Sequence, residues 1–303
     1  QCLEGNQFAF TNNSNIPSGN LTYRWDFGDN DTSHLENPQH SYSIFDTITV
    51  ILITTSGEVC SDTTSRLLVV HPMPIADYFI WDTSQCFERN AFGFTNTSSI
   101  PYGTMTYYWR FGDGGIASLK DPVHSYMYPD TFDVHLLATS GNGCTDSTFG
   151  FIYIHVHPEP LAAFSINDST QCLSNNLFEF TNSSTISSGS VDYIWYFGDT
   201  DSSNQTHVNH TYLNYDTLNV ILLNISDWGC KDSTFKKVII FPLPEPDFVI
   251  DSNSLCLENN LFEFTDTSSI PYGFYSPYWD FGDGTYSFVN NPSHIYSNPD
   301  TFE

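Results

Sequence analysis

Four histidines, His40, His124, His210 and His294, each stand two residues before a tyrosine, Tyr42, Tyr126, Tyr212 and Tyr296. Upstream of each lies an aspartate, Asp29, Asp113, Asp199 or Asp283. Imidazole and carboxylate together are the groups of general acid–base chemistry. No serine or cysteine nucleophile recurs beside them in a recognisable context, and four identical active sites along one chain would be unusual. No catalytic residue is therefore assigned, and the histidine is read as a hydrogen-bonded brace for its loop. Calcium is the other chemistry that the carboxylates suggest, since Asp26, Asp29 and Asp31 crowd one loop of the first copy. The second copy offers only Asp113 with Arg110 nearby, so neither a shared metal site nor any other cofactor is expected.

Seven cysteines fall into two series, Cys2, Cys86, Cys172 and Cys256 in one and Cys60, Cys144 and Cys230 in the other. Within a copy the separation is 58 residues each time. This spacing predicts the bonds Cys2–Cys60, Cys86–Cys144 and Cys172–Cys230, each stabilising by about 4 kcal/mol, in an oxidising extracellular compartment. The rival pairing joins Cys60 to Cys86, Cys144 to Cys172 and Cys230 to Cys256, and periodicity alone leaves both open. Zinc is poorly served, with no Cys-x-x-Cys pair present.

These groups are carried by a repeat. A Cys-Leu-x-x-Asn string (Cys-Phe in the second copy), a Phe-x-Phe-Thr run, a Trp-x-Phe-Gly-Asp string and a His-x-Tyr triplet recur in that order. The tryptophans Trp25, Trp109, Trp195 and Trp279 step by 84, 86 and 84 residues. A step of that size defines a tandem array of small domains. Four repeats are delimited at residues 1–72, 73–158, 159–242 and 243–303, with the first strand absent from repeat 1 and the last strands from repeat 4. The boundaries carry Pro72 and Pro74, Pro158 and Pro160, and Pro242 and Pro244, which stiffen the joints. The ends fall inside domains, which leads us to expect a segment of a longer repetitive chain.

Within each repeat the apolar residues alternate. Phe8 and Phe10, then Tyr23, Trp25 and Phe27, then Ile48, Val50 and Leu52 read as successive strands, with close counterparts in the later copies. A last strand is expected around Leu67 to Val70, Phe151 to Val156 and Val238 to Phe241. The pattern predicts an all-β antiparallel sandwich with the tryptophans in its core. Gly28, Gly112, Gly198 and Gly282 are placed in a turn with positive φ that the following aspartate caps.

Eight Lys and Arg against 35 Asp and Glu give 303 residues a formal charge of −27. That charge repels phosphate backbones and anionic membranes, which excludes nucleic acid as an expected partner. No apolar run reaches the length of a membrane-spanning helix, so direct membrane insertion is not expected.

Trp25-Asp-Phe-Gly-Asp29 and its three counterparts, followed by Asn37-Pro-x-His-x-Tyr42 and its relatives at 121–126 and 291–296, resemble the polycystic kidney disease (PKD) domain. Repeat 3 keeps only His210 and Tyr212 of the second motif. The resemblance covers the whole chain and implies tandem immunoglobulin-like β-sandwiches forming a rod. The added cysteine motifs, including Gly143 to Thr148 and Gly229 to Thr234, resemble long surface repeat proteins of gliding Bacteroidota, typically cargo of type IX secretion. The resemblance implies a non-catalytic stalk of an adhesin at the cell surface, with neighbouring repeats, surface glycans or other envelope proteins as partners. The alternative is a spacer in a secreted hydrolase. Exposed Tyr102, Tyr272 and Tyr275 would suit sugar stacking, although repeat 1 has no tyrosine in that loop. Asp-Ser/Thr dipeptides such as Asp46-Thr47 and Asp146-Ser147 resemble O-glycosylation acceptors, and turn chemistry explains them equally.

Overall fold

The computed structural model describes residues 1–57, 59–148 and 152–303. All regular elements among them are strands. Repeat 3 shows the complete plan. Phe164–Ile166, Phe178–Asn182 and Val208–His210 form one sheet in that order. The facing sheet has the order Thr170–Cys172, Lys231–Phe241, Asp216–Ser226, Val191–Tyr196, Ser202–Ser203. All pairs are antiparallel except the first, where Thr170–Cys172 runs parallel to Lys231–Phe241.

The alternation in the sequence sets this register, because neighbouring residues of a strand point to opposite faces. Trp195 lies opposite Leu222. Both are fully buried, together with Phe178, Phe180, Val220, Val238 and Ile240, between the two sheets. Each such side chain contributes about 1.5–3 kcal/mol by leaving water. Repeat 2 builds the same core from Phe92, Phe94, Trp109, Phe111, Leu136, Ile154 and Val156. Its last strand is Tyr153–His157, and Phe151, expected to begin it, lies outside the described residues. Repeat 1 uses Leu21–Asp26, Asp46–Ser56 and Ser61–Val70 with Trp25, Val50 and Leu52 inside.

Repeat 4 pairs Phe248–Ile250, Phe262–Asp266 and Ser293–His294 in the same order as the matching sheet of repeat 3.

The chain divides into two compact units, residues 1–158 and 159–303. Inside the first, the proline linker has no slack. His71 N–H donates to Gln1 O, and four residues later Ile75 N–H donates to Ser99 O in the next sandwich, both at 2.8 Å.

Replacing Leu222 with Ala removes a fully buried side chain from between the sheets. It should cost about 2–5 kcal/mol in the unfolding of repeat 3, read by chemical denaturation of the full chain.

Candidate functional site

The recurring cluster begins where the tryptophan strand ends. Gly28 and Gly112 have φ of +81° and +87°, and a Cβ there would meet Thr49 O at 2.7 Å and Asp133 O at 2.8 Å. Conformation and close approach both require glycine at this turn. Gly198 and Gly282 repeat the arrangement against Asn219 O and Glu303 O.

The next residue is the aspartate, and each of its oxygens has a different partner. Oδ1 of Asp29, Asp113, Asp199 and Asp283 accepts from the amide two residues on, at 3.1, 2.8, 3.2 and 3.0 Å. Oδ2 pairs with Nε2 of His40, His124, His210 and His294 at 2.7, 2.8, 2.6 and 2.8 Å. The imidazole lies flat on Phe27, Phe111, Phe197 or Phe281, centroids 4.1–4.2 Å apart. Its edge meets Tyr42, Tyr126, Tyr212 or Tyr296. Each tyrosine hydroxyl donates to the carbonyl of that same phenylalanine, at 3.1, 3.0, 2.9 and 3.0 Å.

One member of the cluster is not singled out by the sequence analysis. Asn6, Asn90, Asn176 and Asn260, the last residues of the Cys-Leu-x-x-Asn strings, are buried at 7, 7, 6 and 4 % exposure. Each side-chain oxygen accepts from the tyrosine N–H at 2.7 Å. Each amide nitrogen donates to the tyrosine carbonyl and to a carbonyl three residues back. The asparagine thus imitates a missing strand and pins the amino-terminal crossing to the tyrosine segment. Its signal in the sequence is a constant separation of 36 residues from the tyrosine.

The tryptophans Trp25, Trp109 and Trp195 are buried, and Nε1 of each donates to the carbonyl of Leu35, Leu119 or Gln205 at 3.1, 3.0 or 2.8 Å. Nε1 of Trp279 has no partner among the described residues.

Electrostatics agree with a structural cluster. Burial alone would raise the Asp29 and Asp113 carboxyls, but hydrogen bonds from the histidine and from the turn amide outweigh it and hold both below the usual range. The Thr285 hydroxyl and then His294 bring Asp283 down to about 2. Burial, reinforced by the nearby aspartate, pushes the Tyr42 hydroxyl up to about 12 and also raises those of Tyr126 and Tyr212. The phenols therefore remain donors.

In repeats 1 and 3, Asp31 and Asp201 join the pair, with candidate ligand atoms within 4.8 Å of one another. Gly115 and Thr285 occupy that place in repeats 2 and 4. Asp26 instead accepts from Gly28 N at 3.0 Å. All four copies share the brace, and only two bring a second carboxylate to it.

The disulfide pairings expected from the spacing require correction. Cys2 is bonded to Cys144, across two repeats, with Cα atoms 5.5 Å apart. Cys86 and Cys230 are also disulfide-bonded, while Cys60, Cys172 and Cys256 are exposed thiols. Neither the intra-repeat nor the rival set survives. The reason is strand length. Cys2 bridges His71, just past the strand Ser61–Val70, whereas Cys60 sits in the hairpin turn at the other end of that strand. Ten residues at ~3.3 Å each separate the two places, against the roughly 7 Å that a disulfide can span.

The tyrosines offered for sugar stacking, Tyr102, Tyr272 and Tyr275, are exposed as expected, and each has a structural partner. Tyr102 packs edge-on against Phe45 of repeat 1 at 6.1 Å, and Tyr272 against Tyr215 of repeat 3 at 5.8 Å. The Tyr272 hydroxyl donates to Ile240 O, and that of Tyr275 to Asp266 and Ser268. The Asp-Ser/Thr dipeptides act as local caps: Asp46, Asp62, Asp130, Asp216 and Asp232 each accept from the next residue's amide. Asp146 and Asp232, two residues past Cys144 and Cys230, reach the start of their own repeats and accept from Ala76 and Ala162 N–H at 2.8 and 2.7 Å.

Two facing antiparallel sheets, a buried tryptophan and a tyrosine that bonds back to the preceding turn define tandem immunoglobulin-like β-sandwiches. The PKD domain family model matches residues 1–70 and 71–154, half of the chain, and the chain belongs to that family. Similar solved structures include the PKD1 domain of Vibrio anguillarum Epp, 25% identical with a TM-score of 0.25, covering 28% of this chain and 95% of that one. The PKD1 domain from the Vibrio cholerae metalloprotease PrtV is 26% identical with a TM-score of 0.24, covering 28% and 96%. Three immunoglobulin domains of titin align at 12% identity and a TM-score of 0.47, covering 78% and 92%.

Asn90→Leu leaves the Tyr126 N–H without its partner inside the protein and should cost about 2 kcal/mol or more, measured as a shift in the denaturation midpoint of repeat 2. A carboxyl with a lowered folded pKa contributes stability that is present above its unfolded value and lost as pH falls through the folded one. Repeats 1 and 2 should therefore lose stability as pH drops below about 4, and Asp113→Asn should flatten that dependence in repeat 2, followed by denaturation at stepped pH.

Proposed function

We propose that this chain is a non-catalytic segment of a stalk in a long extracellular surface protein, serving adhesion or gliding motility. PKD domains are extracellular modules of structural and adhesive type, and the disulfides suit an oxidising compartment. The observation that carries the reading is the Cys2–Cys144 bond, which ties one sandwich to the next. The histidines and carboxylates, the groups able to do chemistry, are engaged with one another and with the backbone in every repeat. Neighbouring repeats are the first partners, with envelope proteins or glycans at a distal tip. Resemblance of the cysteine motifs to gliding surface proteins supports a Bacteroidota source and type IX export.

A second reading is favoured by the metalloprotease that carries one of the similar PKD domains. In it the repeats hold a secreted hydrolase at a distance from its substrate.

Electron microscopy of the native protein on its cells, labelled with antibody against one repeat, distinguishes the two. Label strung along filaments projecting from the envelope is the expected result. Label on a compact secreted particle with a separate globular head would replace the stalk by the enzyme spacer.

A further inference from the structure

Cys2 and Cys144 are placed at opposite sides of one junction. The amino terminus runs parallel to the exit of repeat 1: Cys2 bridges His71, Leu3 N–H donates to His71 O, and His71 N–H donates to Gln1 O. Cys2 therefore lies at the end of repeat 1 from which the chain leaves toward Pro72. Cys144 lies in the turn between His135–Ser140 and Thr145–Ser147, where Ser140 N–H donates to Cys144 O at 2.8 Å. Two residues on, Asp146 holds the Ala76 amide, so this turn stands at the entry of repeat 2. The disulfide joins the exit of one sandwich to the entry of the next.

We infer that this bond is a bypass for mechanical load, so that tension along the chain reaches Cys144 directly from Cys2 and does not unravel the intervening polypeptide. A covalent network under tension is held by its shortest path. From Cys2 that path crosses the S–S bond, which skips a sequence separation of 142 residues, and continues through Thr145–Ser147 and Tyr153–His157. Those two strands are already extended at ~3.3 Å per residue, close to the ~3.3–3.6 Å of a fully stretched chain, so pulling on them gains little length. Repeat 1 after Cys2, the linker and most of repeat 2 hang outside the loaded path. An intra-repeat bond would have left the linker and the start of every repeat in line with the load. The inference concerns the covalent connectivity and holds whether the segment belongs to a surface stalk or to an enzyme spacer.

Single-molecule stretching of the full chain tests it. Handles are attached by non-cysteine chemistry at Gln1 and at Leu161, whose side chain is 65 % exposed. Under oxidising conditions the distance between handles should saturate near about 65 Å, the reach of the few residues that remain in line. Reductant should lengthen the saturated distance by roughly 500 Å, the contour of the skipped segment. Cys144→Ala should show the long contour without reductant. This readout is taken on the stretched chain and does not require the variant to fold. An oxidised wild-type chain that reaches the long contour would overturn the bypass, as would a Cys144→Ala chain that stays short.

Discussion

The asparagine amide that pairs with a tyrosine backbone 36 residues away is the interaction on which the rest of each repeat depends. Between Cys2 and Phe8 the chain must cross from one sheet to the other, and a crossing has no ladder to satisfy its polar groups. Asn6 takes over that task with three bonds, to Leu3 and to both backbone groups of Tyr42. Once Tyr42 is fixed, its hydroxyl fixes Phe27 O, Phe27 gives His40 a flat surface, and His40 holds Asp29. Asp29 in turn closes the glycine turn. Polar groups that look like catalytic apparatus in the sequence are thus a chain of internal obligations. Buried networks of this kind specify one conformation when every member is satisfied, and here the same set is met four times.

The alternating aromatics made the strands legible, because period two has one reading when a tryptophan and two phenylalanines share a face. The turn glycines and their aspartates were legible for the same local reason. Connectivity of the cysteines was not. Every pairing that joins one series to the other respects the period, and the deciding fact is which end of a strand each cysteine occupies. That fact belongs to the parallel pairing of Cys2 with His71, a contact between segments almost a whole repeat apart in sequence. Tyr102 and Tyr272 are exposed, as their polar loops suggest, and what the sequence hides is the edge contact that the neighbouring repeat supplies through Phe45 or Tyr215. The buried asparagine was visible as part of a string, but its role needed a partner that only the fold reveals.

The residues of repeat 4 form the same brace as those of the other three copies. Phe302 already stacks on Tyr296 at 4.0 Å, as Phe132 does on Tyr126. The asparagine and histidine bonds are all formed there.

The ring contacts between Tyr102 and Phe45 and between Tyr272 and Tyr215 come from an alternation in the sequence. Repeats 1 and 3 carry Phe45 and Tyr215 where repeats 2 and 4 carry Pro129 and Pro299, and they carry Ser18 and Ser188 where the others carry Tyr102 and Tyr272. The repeating unit of these junction contacts is accordingly the pair of repeats, 170 residues from Cys2 to Cys172. Removing repeat 2 alone would bring Phe45 against a serine loop and forfeit an aromatic contact, whereas removing repeats 1 and 2 together would leave the contact between Tyr215 and Tyr272 intact.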